Sequence, residues 1–288
     1  SPCYKIRKTG WRRLPMRGMK SATDQIEDGA NVWQADYFRH SWRFALCAFH
    51  SAENTPNGRA ATSANRTADE FGVWLGQLMQ GDDIAQDNIN RAIIATVVPA
   101  NLVHLQTLCE KYFHCTPLAV GKSDVDLGIG VLIDNPNEVG ADRLCNAVAA
   151  HASYDGPLLV LDFGTATTFD VVDANGDYRG GVIYPGINLS LEALHLGAAQ
   201  LPRVAVDRPD KVIGTGTVSA MQSGIFWGHV AIIEGLAARI RDEYGADLTV
   251  VATGGLAPLF AEATETIQHC DQYLTLRGLY LLHQRNAG

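Results

Sequence analysis

The chain has 288 residues, of which 47% are hydrophobic and 19% charged, and this is typical of a globular protein with one large or two ordinary domains. Its formal net charge of −8 disfavours a nucleic-acid partner, and no apolar run reaches the length of a membrane span. We expect a cytoplasmic protein, because no signal-peptide core follows the basic N-terminus and the six scattered cysteines are typical of buried free thiols rather than a zinc site.

The first 60 residues differ in composition from the remainder. Residues 1–20 hold seven Lys or Arg and no acid, which leaves a net charge of −15 for residues 21–288. Three of the five tryptophans also lie in this segment. Residues 44–49 are the one run there that resembles a strand, so we expect weak or irregular order over most of residues 1–60.

From residue 66 onward, strands and helices alternate, which predicts an α/β fold. Thr67 and Glu70 can form a capping box for the first helix, and Asn101 is a candidate cap for the second. The other predicted strands lie at 91–98, 117–120, 129–133, 158–161, 167–172 and 248–252, and the other helices at 138–151, 188–195, 219–244, 274–282 and from 257. On the long helix, His229 recurs with apolar residues at helical spacing, so we interpret it as a packing residue.

The sequence around Asp162 predicts a ligand-binding hairpin. Asp162 ends an apolar strand, residues 163–165 form a tight turn, and a second strand leaves it. The turn offers an acid, a glycine that permits close backbone approach, and threonine hydroxyls at 165, 167 and 168. Amides and hydroxyls in such a turn suit a phosphate, and the acid suits a cation beside it. A plain hairpin whose threonines satisfy their own backbone fits the same residues.

A second chemical feature is the pair Asp142 and Arg143, which opens the helix at 138–151. An acid in the first turn of a helix complements the positive end of its dipole, and this alone explains a single acid. The fork of donors on Arg143 at the same place also suits an anionic substrate.

Two glycine-containing segments complete the pattern. Residues 180–186 have the backbone freedom to pass close to a ligand, although a simple Gly-Pro loop explains them equally. Residues 253–255 follow a buried strand and precede a helix, which is a common way to bring a backbone against a nucleotide. A close turn between strand and helix is the plain alternative.

Together these segments resemble the type III pantothenate kinases, which belong to the actin-like, sugar-kinase and Hsp70 superfamily. The resemblance runs from about residue 61 to the end, and the order and spacing of the motifs make it specific. It rests on Asp-Asn-Pro-Asn-Glu-Val-Gly-Ala-Asp-Arg at 134–143, Asp-Phe-Gly-Thr-Ala-Thr-Thr at 162–168, Gly-Gly-Val-Ile-Tyr-Pro-Gly at 180–186, Gly-Thr-Val-Ser-Ala-Met-Gln-Ser-Gly at 216–224 and Thr-Gly-Gly at 253–255.

The resemblance implies a fold and an assembly. The fold is two actin-like (ribonuclease H-like) α/β domains with the active site in the cleft between them. We divide the chain into an atypical segment at 1–60, an incomplete N-terminal α/β domain at 61–152 and a C-terminal actin-like domain at 153–288. The resemblance also implies a homodimer, to which the helix at 219–244 contributes apolar surface through Met221, Ile225, Phe226 and Trp227.

The resemblance further implies an activity, which is the ATP-dependent phosphorylation of pantothenate to 4′-phosphopantothenate, the first step of coenzyme A biosynthesis. Mg²⁺ accompanies ATP, and a potassium or ammonium ion is bound. The implied roles are proton acceptor for Asp142, metal ligand for Asp162, pantothenate binding for Gly140, Ala141, Arg143 and Thr217, and nucleotide binding for Gly164, Thr165, Thr253, Gly254 and Gly255.

One family element does not occur in this sequence. Members begin with a strand that ends in Asp-x-Gly-Asn-Thr, the first phosphate loop, and no such string is present anywhere in the chain. We therefore expect that residues 1–60 do not encode the native strand and loop, through a reading-frame error, a misplaced start or true divergence. The alternative functions are a catalytically impaired homologue or accessory transcriptional regulator of the family and, more remotely, a kinase for another acceptor such as a sugar.

Overall fold

The computed structural model describes residues 66–81, 85–198 and 201–286, together with the backbone of three strands between residues 30 and 60. The strands of the first sheet are β1 (Ala30–Ala35), β2 (Phe44–Phe49), β3 (Asn57–Ala60), β4 (Arg91–Thr96) and β5 (Leu118–Ala119). Their order is β3-β1-β2-β4-β5. The strand β2 pairs antiparallel with β1 and β4, whereas β3 and β5 pair parallel with their neighbours. Four of the six residues of β4 are buried, as its apolar sequence predicts.

The second sheet also has five strands, in the order β10-β9-β6-β7-β8. They are β6 (Leu158–Phe163), β7 (Ala166–Val172), β8 (Tyr178–Pro185), β9 (Thr249–Gly254) and β10 (His269–Cys270). The strands β6, β7 and β8 form an antiparallel meander, and β9 pairs parallel with both β6 and β10. Because β6 is central and buried on both faces, it has the continuous apolar sequence from which it was predicted.

Seven helices are described: α1 (Ala68–Gly81), α2 (Pro99–Tyr112), α3 (Ala141–Ser153), α4 (Ile187–Gly197), α5 (Thr217–Tyr244), α6 (Ala257–Ala261) and α7 (Leu274–Asn286). The helices α1 and α2 share a core with Ile94 on one side of β4. The helices α3 and α7 share a core with Ile93 of β4 and Val160 of β6, so they lie between the two sheets. Leu159 and Leu161 point to the opposite face of the second sheet, which α5 and α6 cover. In this part of the chain, no helix combines the length and apolarity needed to cross a membrane.

The crossing of α3 and α7 depends on a glycine. A Cβ atom placed on Gly278 would lie 2.0 Å from the backbone oxygen of Cys145, far closer than two nonbonded atoms can approach. The absence of a side chain therefore lets the two helix backbones touch. This contact fixes α3, and with it the residues of its first turn.

Several predicted local features are confirmed. Thr67 Oγ1 accepts a hydrogen bond from the Glu70 amide at 3.3 Å, and Glu70 Oε2 accepts one from the Thr67 amide at 2.7 Å, which is a capping box. His229 is buried, its Nδ1 lies 3.0 Å from the Ile225 carbonyl oxygen, and its ring meets Tyr184 edge-on. Among the described residues, Cys109 and Cys145 are buried thiols outside any disulfide, Cys115 is half-buried, and Cys270 is exposed.

Other predictions need correction. Asn101 is not a cap, because α2 begins earlier, at Pro99, whose missing N–H suits the first helical turn, and Asn101 is fully buried. In the predicted strand at 129–133 only Val131 forms a bridge, to Tyr178. Residues 180–185 are part of β8 rather than a loop, since pairing with β7 outweighs the low strand propensity of glycine.

The prediction for residues 1–60 is confirmed in one respect, since residues 44–49 form β2. The strands β1 and β3 were not predicted. The expectation of irregular order concerns residues that otherwise lie outside the described part of the chain.

Candidate active site

A cavity of about 670 Å³ lies beside the start of α3. The segment that follows β4, the turn after β5 and the segment before α3 line it, and they contribute, among others, Pro99, Lys122, Glu138, Gly140 and Ala141. The predicted substrate-binding residues Gly140 and Ala141 are thus in the wall of this cavity.

Asp142 and Arg143 follow directly, in the first turn of α3. Gly140 is the N-cap residue. A Cβ atom there would lie 2.6 Å from Asp142 Oδ1, so the helix start is compact. Asp142 Oδ1 accepts a hydrogen bond from the Arg143 amide at 2.8 Å, which holds the carboxylate at the positive end of the helix dipole. The geometry is compatible with both interpretations of Asp142, as an acid that complements the helix dipole and as a proton acceptor.

The Arg143 side chain crosses from α3 to β7 and pairs with Asp170. Arg143 Nε donates to Asp170 Oδ1 at 2.8 Å, and Nη2 lies 2.5 Å from the same oxygen. Tyr178 Oη donates to Asp170 Oδ1 at 2.7 Å, and Thr168 Oγ1 donates to Oδ2 at 2.8 Å. Asp170 is fully buried, and a buried charge is costly unless it is paired. One cation and two hydroxyls compensate the charge here.

The electrostatics of this cluster follow from burial and pairing. Burial lowers the pKa of Arg143, but the charge of Asp170 and their hydrogen bond outweigh it, so the net pKa is raised and the guanidinium stays charged. Burial raises the pKa of Asp170, while Arg143, Tyr178 and Thr168 oppose that rise. Burial and the neighbouring Asp170 charge also raise the pKa of Tyr178, which therefore remains a donor.

A second polar link leaves α3 one turn later. Asn146 Nδ2 donates to Asp162 Oδ2 at 3.2 Å, and Asn146 Oδ1 accepts from Thr275 Oγ1 of α7 at 2.7 Å. Asp162, Asn146 and Thr275 are all buried. The amide thus joins the predicted metal ligand to both central helices.

The hairpin after Asp162 has the predicted turn, but its hydroxyls diverge. The Gly164 amide donates to the Ala166 carbonyl within the turn at 3.0 Å. Thr167 is buried, Thr168 is half-buried and donates to Asp170, and Thr165 is the half-buried threonine within the turn itself. Alternation along a strand sends neighbouring side chains to opposite faces, which separates Thr167 from Thr168.

The residues predicted to lie near the nucleotide, 253–255, meet this hairpin through strand pairing. Asp162 pairs with Thr253 and Phe163 with Gly254, in parallel register. Gly254 has φ +94°, and a Cβ there would lie 2.5 Å from the Phe163 carbonyl oxygen and 2.9 Å from Asp162 Oδ1. Thr253 and Gly254 end β9 instead of starting the turn, a small correction, and glycine is needed for this close approach.

Thr217 is the predicted site residue that the chain does not bring to the others. It is the exposed first residue of α5 and lines a separate cavity of about 470 Å³, together with Leu194, Leu201, Ala220, Met221, Gly224 and Ile225. This cavity shares no lining residue with the one beside Gly140.

Sequence reasoning missed the residues that support the site, namely Asp170, Tyr178, Asn146 and Thr275. One signal could have found Asp170, because an acid between Phe169 and Val171 in an apolar strand is rarely buried without a partner. Asn146 and Thr275 lack such a signal, since their contact joins positions 129 residues apart.

Comparisons with known proteins point to one family. A family model described as type III pantothenate kinase matches residues 43–239, starting before the residue 61 that we predicted. The type III pantothenate kinase of Rhodospirillum rubrum is 64% identical over 228 residues, which are 79% of this chain and 89% of that protein. The type III pantothenate kinase of Paramagnetospirillum magneticum is 64% identical over 229 residues, 80% and 88% of the two chains.

A solved structure supports the fold. A Sinorhizobium meliloti protein described as a 2-dehydro-3-deoxygalactonokinase matches with a TM-score of 0.50 at 12% identity, covering 88% of this chain and 96% of its own. This likeness concerns the mixed α/β, actin-like fold alone. Since the family model spans well over half of the chain and close relatives are matched over most of their length, the chain belongs to the type III pantothenate kinase family.

Proposed function

We propose that this protein transfers the terminal phosphoryl group of ATP to the primary hydroxyl of pantothenate, the first step of coenzyme A biosynthesis. The observation that carries the proposal is the role of α3 in a chain of this family. Its first turn holds Asp142 and Arg143 beside the larger cavity, and one turn later Asn146 bonds to Asp162 of the hairpin. One rigid element thus supports both the acceptor side and the phosphate side.

In this proposal Asp142 orients the attacking hydroxyl of pantothenate and accepts its proton. Phosphoryl transfer depends mainly on positioning and on neutralisation of charge, with little covalent participation by the protein. Arg143 binds the anionic end of pantothenate, and Gly140 and Ala141 form the cavity wall against it. The bond formed is between the pantothenate oxygen and phosphorus, and ADP leaves with the bridging oxygen.

ATP, with its Mg²⁺, binds at the paired ends of β6 and β9 in this proposal. Thr165 and the backbone of Gly164 face the phosphates, and Thr253, Gly254 and Gly255 lie near the adenosine. The support is the register of the two strands and the close packing of β9 against β6 that glycine permits at position 254.

Asp162 fits a monovalent cation, potassium or ammonium. Its carboxylate is buried at a strand end, and no cluster of three or more His, Cys, Asp or Glu side chains suited to a metal forms among the described residues. A single carboxylate matches the charge of a monovalent ion better than that of a divalent one. The cation would absorb charge on the phosphates. Equal turnover in sodium-only and potassium buffers would contradict this assignment.

We further propose a homodimer that uses the exposed apolar surface of α4, α5 and the segment between them. Leu196 (73% exposed), Ile213 (82%) and Val218 (47%) support it. Of the four side chains predicted to form this surface, Met221 and Phe226 are buried, so that part of the prediction is wrong, and the half-buried Ile225 and Trp227 remain. Thr217 lies in this region, and its role toward the substrate stays a prediction. A monomer mass in light scattering at micromolar concentration would contradict the dimer.

The second candidate function is a catalytically impaired homologue, because the sequence has no Asp-x-Gly-Asn-Thr string. Purified chain is incubated with MgATP, with and without pantothenate, and ADP release and phosphopantothenate mass are measured. Pantothenate-dependent ADP release with an equal amount of phosphorylated product supports the kinase. Absence of product from this chain, with product appearing once a complete first loop is restored, supports the impaired homologue, and absence of product in both cases supports the accessory regulator. A panel of sugars in the same assay tests the remaining alternative.

A further inference from the structure

We propose that Asp170 is the positioning residue for Arg143, and that the set of donors around Asp170 fixes the guanidinium in the orientation that receives the carboxylate of pantothenate. This inference rests on the proposed function. It adds to that function a residue of β7 that neither the motifs nor the resemblance singled out.

Asp170 orients the Arg143 guanidinium, because its contacts, together with the neighbouring Tyr178 ring, restrict that group in several directions. Nε and Nη2 both address Asp170 Oδ1, at 2.8 and 2.5 Å. The guanidinium also lies over the Tyr178 ring, with 5.6 Å between Cζ and the ring centroid. A planar fork held along one edge and against one face has little rotational freedom left.

The Asp170 carboxylate is itself held. Tyr178 Oη and Thr168 Oγ1 donate to it at 2.7 and 2.8 Å, and it is fully buried in β7. Tyr178 is the first residue of β8, so two strands and α3 meet at this carboxylate. Any rotation of Asp170 would leave buried donors without an acceptor, which is costly.

Arg143 nevertheless retains donors for a ligand. A guanidinium carries five N–H groups, and the contacts to Asp170 use two of them. Its side chain is 15% exposed, whereas that of Asp170 is 0% exposed. Arg143 is thus anchored by Asp170 without being completely enclosed, and it keeps N–H groups that Asp170 does not use and that can bind an anion. Pre-organisation of this kind raises affinity, because the ligand does not have to order a flexible side chain.

A purely structural role for the pair would predict a different outcome. Buried ion pairs often contribute little net stability, and removing one partner destabilises the fold wherever the pair lies. The two readings separate in substrate kinetics, since only a positioning role changes pantothenate recognition selectively.

The test compares Asp170→Asn with the unmodified chain in steady-state kinetics and direct pantothenate binding. We expect KM and Kd for pantothenate to rise about 10- to 100-fold, as for a charge-assisted contact, while KM for ATP stays within about twofold. Tyr178→Phe, which keeps the ring and loses one donor, should shift the same constants less. In the double variant Asp170→Asn, Arg143→Lys the two losses should not add, because both act on one contact.

Asp271→Asn is the matched control. Arg277 Nη2 pairs with Asp271 Oδ2 at 2.9 Å, with side chains 10% and 6% exposed, so this is a similarly buried pair that the proposed mechanism does not use. We expect it to lower the thermal midpoint without changing the pantothenate constants.

The outcomes distinguish the inference from the function on which it rests. If the unmodified chain neither binds nor phosphorylates pantothenate, the proposed function and the positioning role of Asp170 are both wrong. If it does both, the kinase assignment stands. The positioning role is then overturned if Asp170→Asn or Tyr178→Phe changes the KM values for pantothenate and ATP equally, or only lowers the thermal midpoint as Asp271→Asn does. Should Asp170→Asn fail to fold, Tyr178→Phe decides by the same criterion.

Discussion

At the scale of single residues, Asp142 is the acid from which we expect the largest effect. It lies in the first turn of α3, beside Arg143 and the cavity wall. Replacing it by Asn keeps the shape and removes the proton acceptor, so kcat should fall about 10²- to 10⁴-fold. Pantothenate affinity, measured by calorimetry, should change little.

The control for this variant is Asp155→Asn, an exposed acid in the turn after α3, which should leave kcat unchanged. Near-full activity of Asp142→Asn, measured in a chain with a complete first loop, would remove the assignment of Asp142 as proton acceptor.

The candidate site residues that sequence alone could single out are those marked by a local pattern. Asp142, Arg143 and Asp162 each carry a local signal, at a helix start or at a strand end. The partners that hold them could not be predicted in the same way, because Arg143 reaches Asp170 and Asn146 reaches Thr275 only after the sheet and the helices have assembled. Side-chain alternation could have excluded one idea, namely that Thr167 and Thr168 converge on one ligand.

At the scale of elements, the packing of α3 against α7 is sensitive to the addition of a single carbon atom. A methyl group on Gly278 would meet the Cys145 backbone oxygen at 2.0 Å, and backbone cannot yield cheaply. We expect Gly278→Ala to destabilise the protein by about 1–3 kcal/mol, the usual cost of overpacking, despite the better helix propensity of Ala. Denaturant unfolding measures this directly.

Gly228→Ala is the matched control, because it also replaces a glycine inside a helix. Gly228 lies within α5, and a Cβ atom there would have no neighbour within 4 Å. This substitution should be neutral or stabilising by up to about 1 kcal/mol. Equal unfolding midpoints for the two variants would show that the helices separate readily and that the contact at Gly278 is not tight.

The helix α7 also carries a pH-dependent contribution to stability. Burial, and secondly the charge of Arg91, lower the pKa of His283 to about 4, whereas an unfolded histidine titrates near 6.5. Between these values the unfolded chain binds a proton that the folded chain excludes. The free energy of unfolding therefore includes the full contribution above about pH 6.5 and loses it as the pH falls toward 4.

Unfolding curves of the original chain and of His283→Gln at several pH values test this. The original chain should lose more stability between about pH 6.5 and pH 4 than the variant does, because Gln has no proton to bind. An equal loss of unfolding free energy in the two chains would contradict the contribution of His283 to this pH dependence.

Elements were predictable where one pattern dominated. The apolar runs of β4, β6 and β9 and the capping box of α1 identified those elements without knowledge of the fold. The strand β8 was missed because its glycines and Pro185 are typical of loops, and only pairing with β7 makes it a strand. The segment 129–133 is the opposite case, since its apolar residues favour a strand but only Val131 finds a pairing position.

At the scale of the whole molecule, the two sheets enclose α3 and α7 in one apolar core. This core includes residues on both sides of position 152. The division of the chain into units at 61–152 and 153–288 therefore stays a prediction, and the two proposed units share one apolar core. Because α3 contacts both β4 and the second sheet through that core, a change in the first sheet can reach Asp142 through packing alone.

The last prediction concerns the first sheet and the segment that precedes residue 61. The strand β4 is not an edge, since β2 pairs with it antiparallel from Phe44 opposite Thr96 to Phe49 opposite Arg91. A replacement of residues 1–60 must therefore supply a strand next to β4, or it leaves an open edge that favours aggregation. We predict that a replacement with such a strand and an Asp-x-Gly-Asn-Thr loop raises kcat/KM for ATP about 10²- to 10³-fold, since one electrostatic contact to a transferring group has about that effect. The same replacement with Asn in place of the first Asp of the loop is the control, and most of the gain should disappear. Equal, robust phosphorylation of pantothenate by the present chain and the replaced chain would show that residues 1–60 already serve as the missing loop.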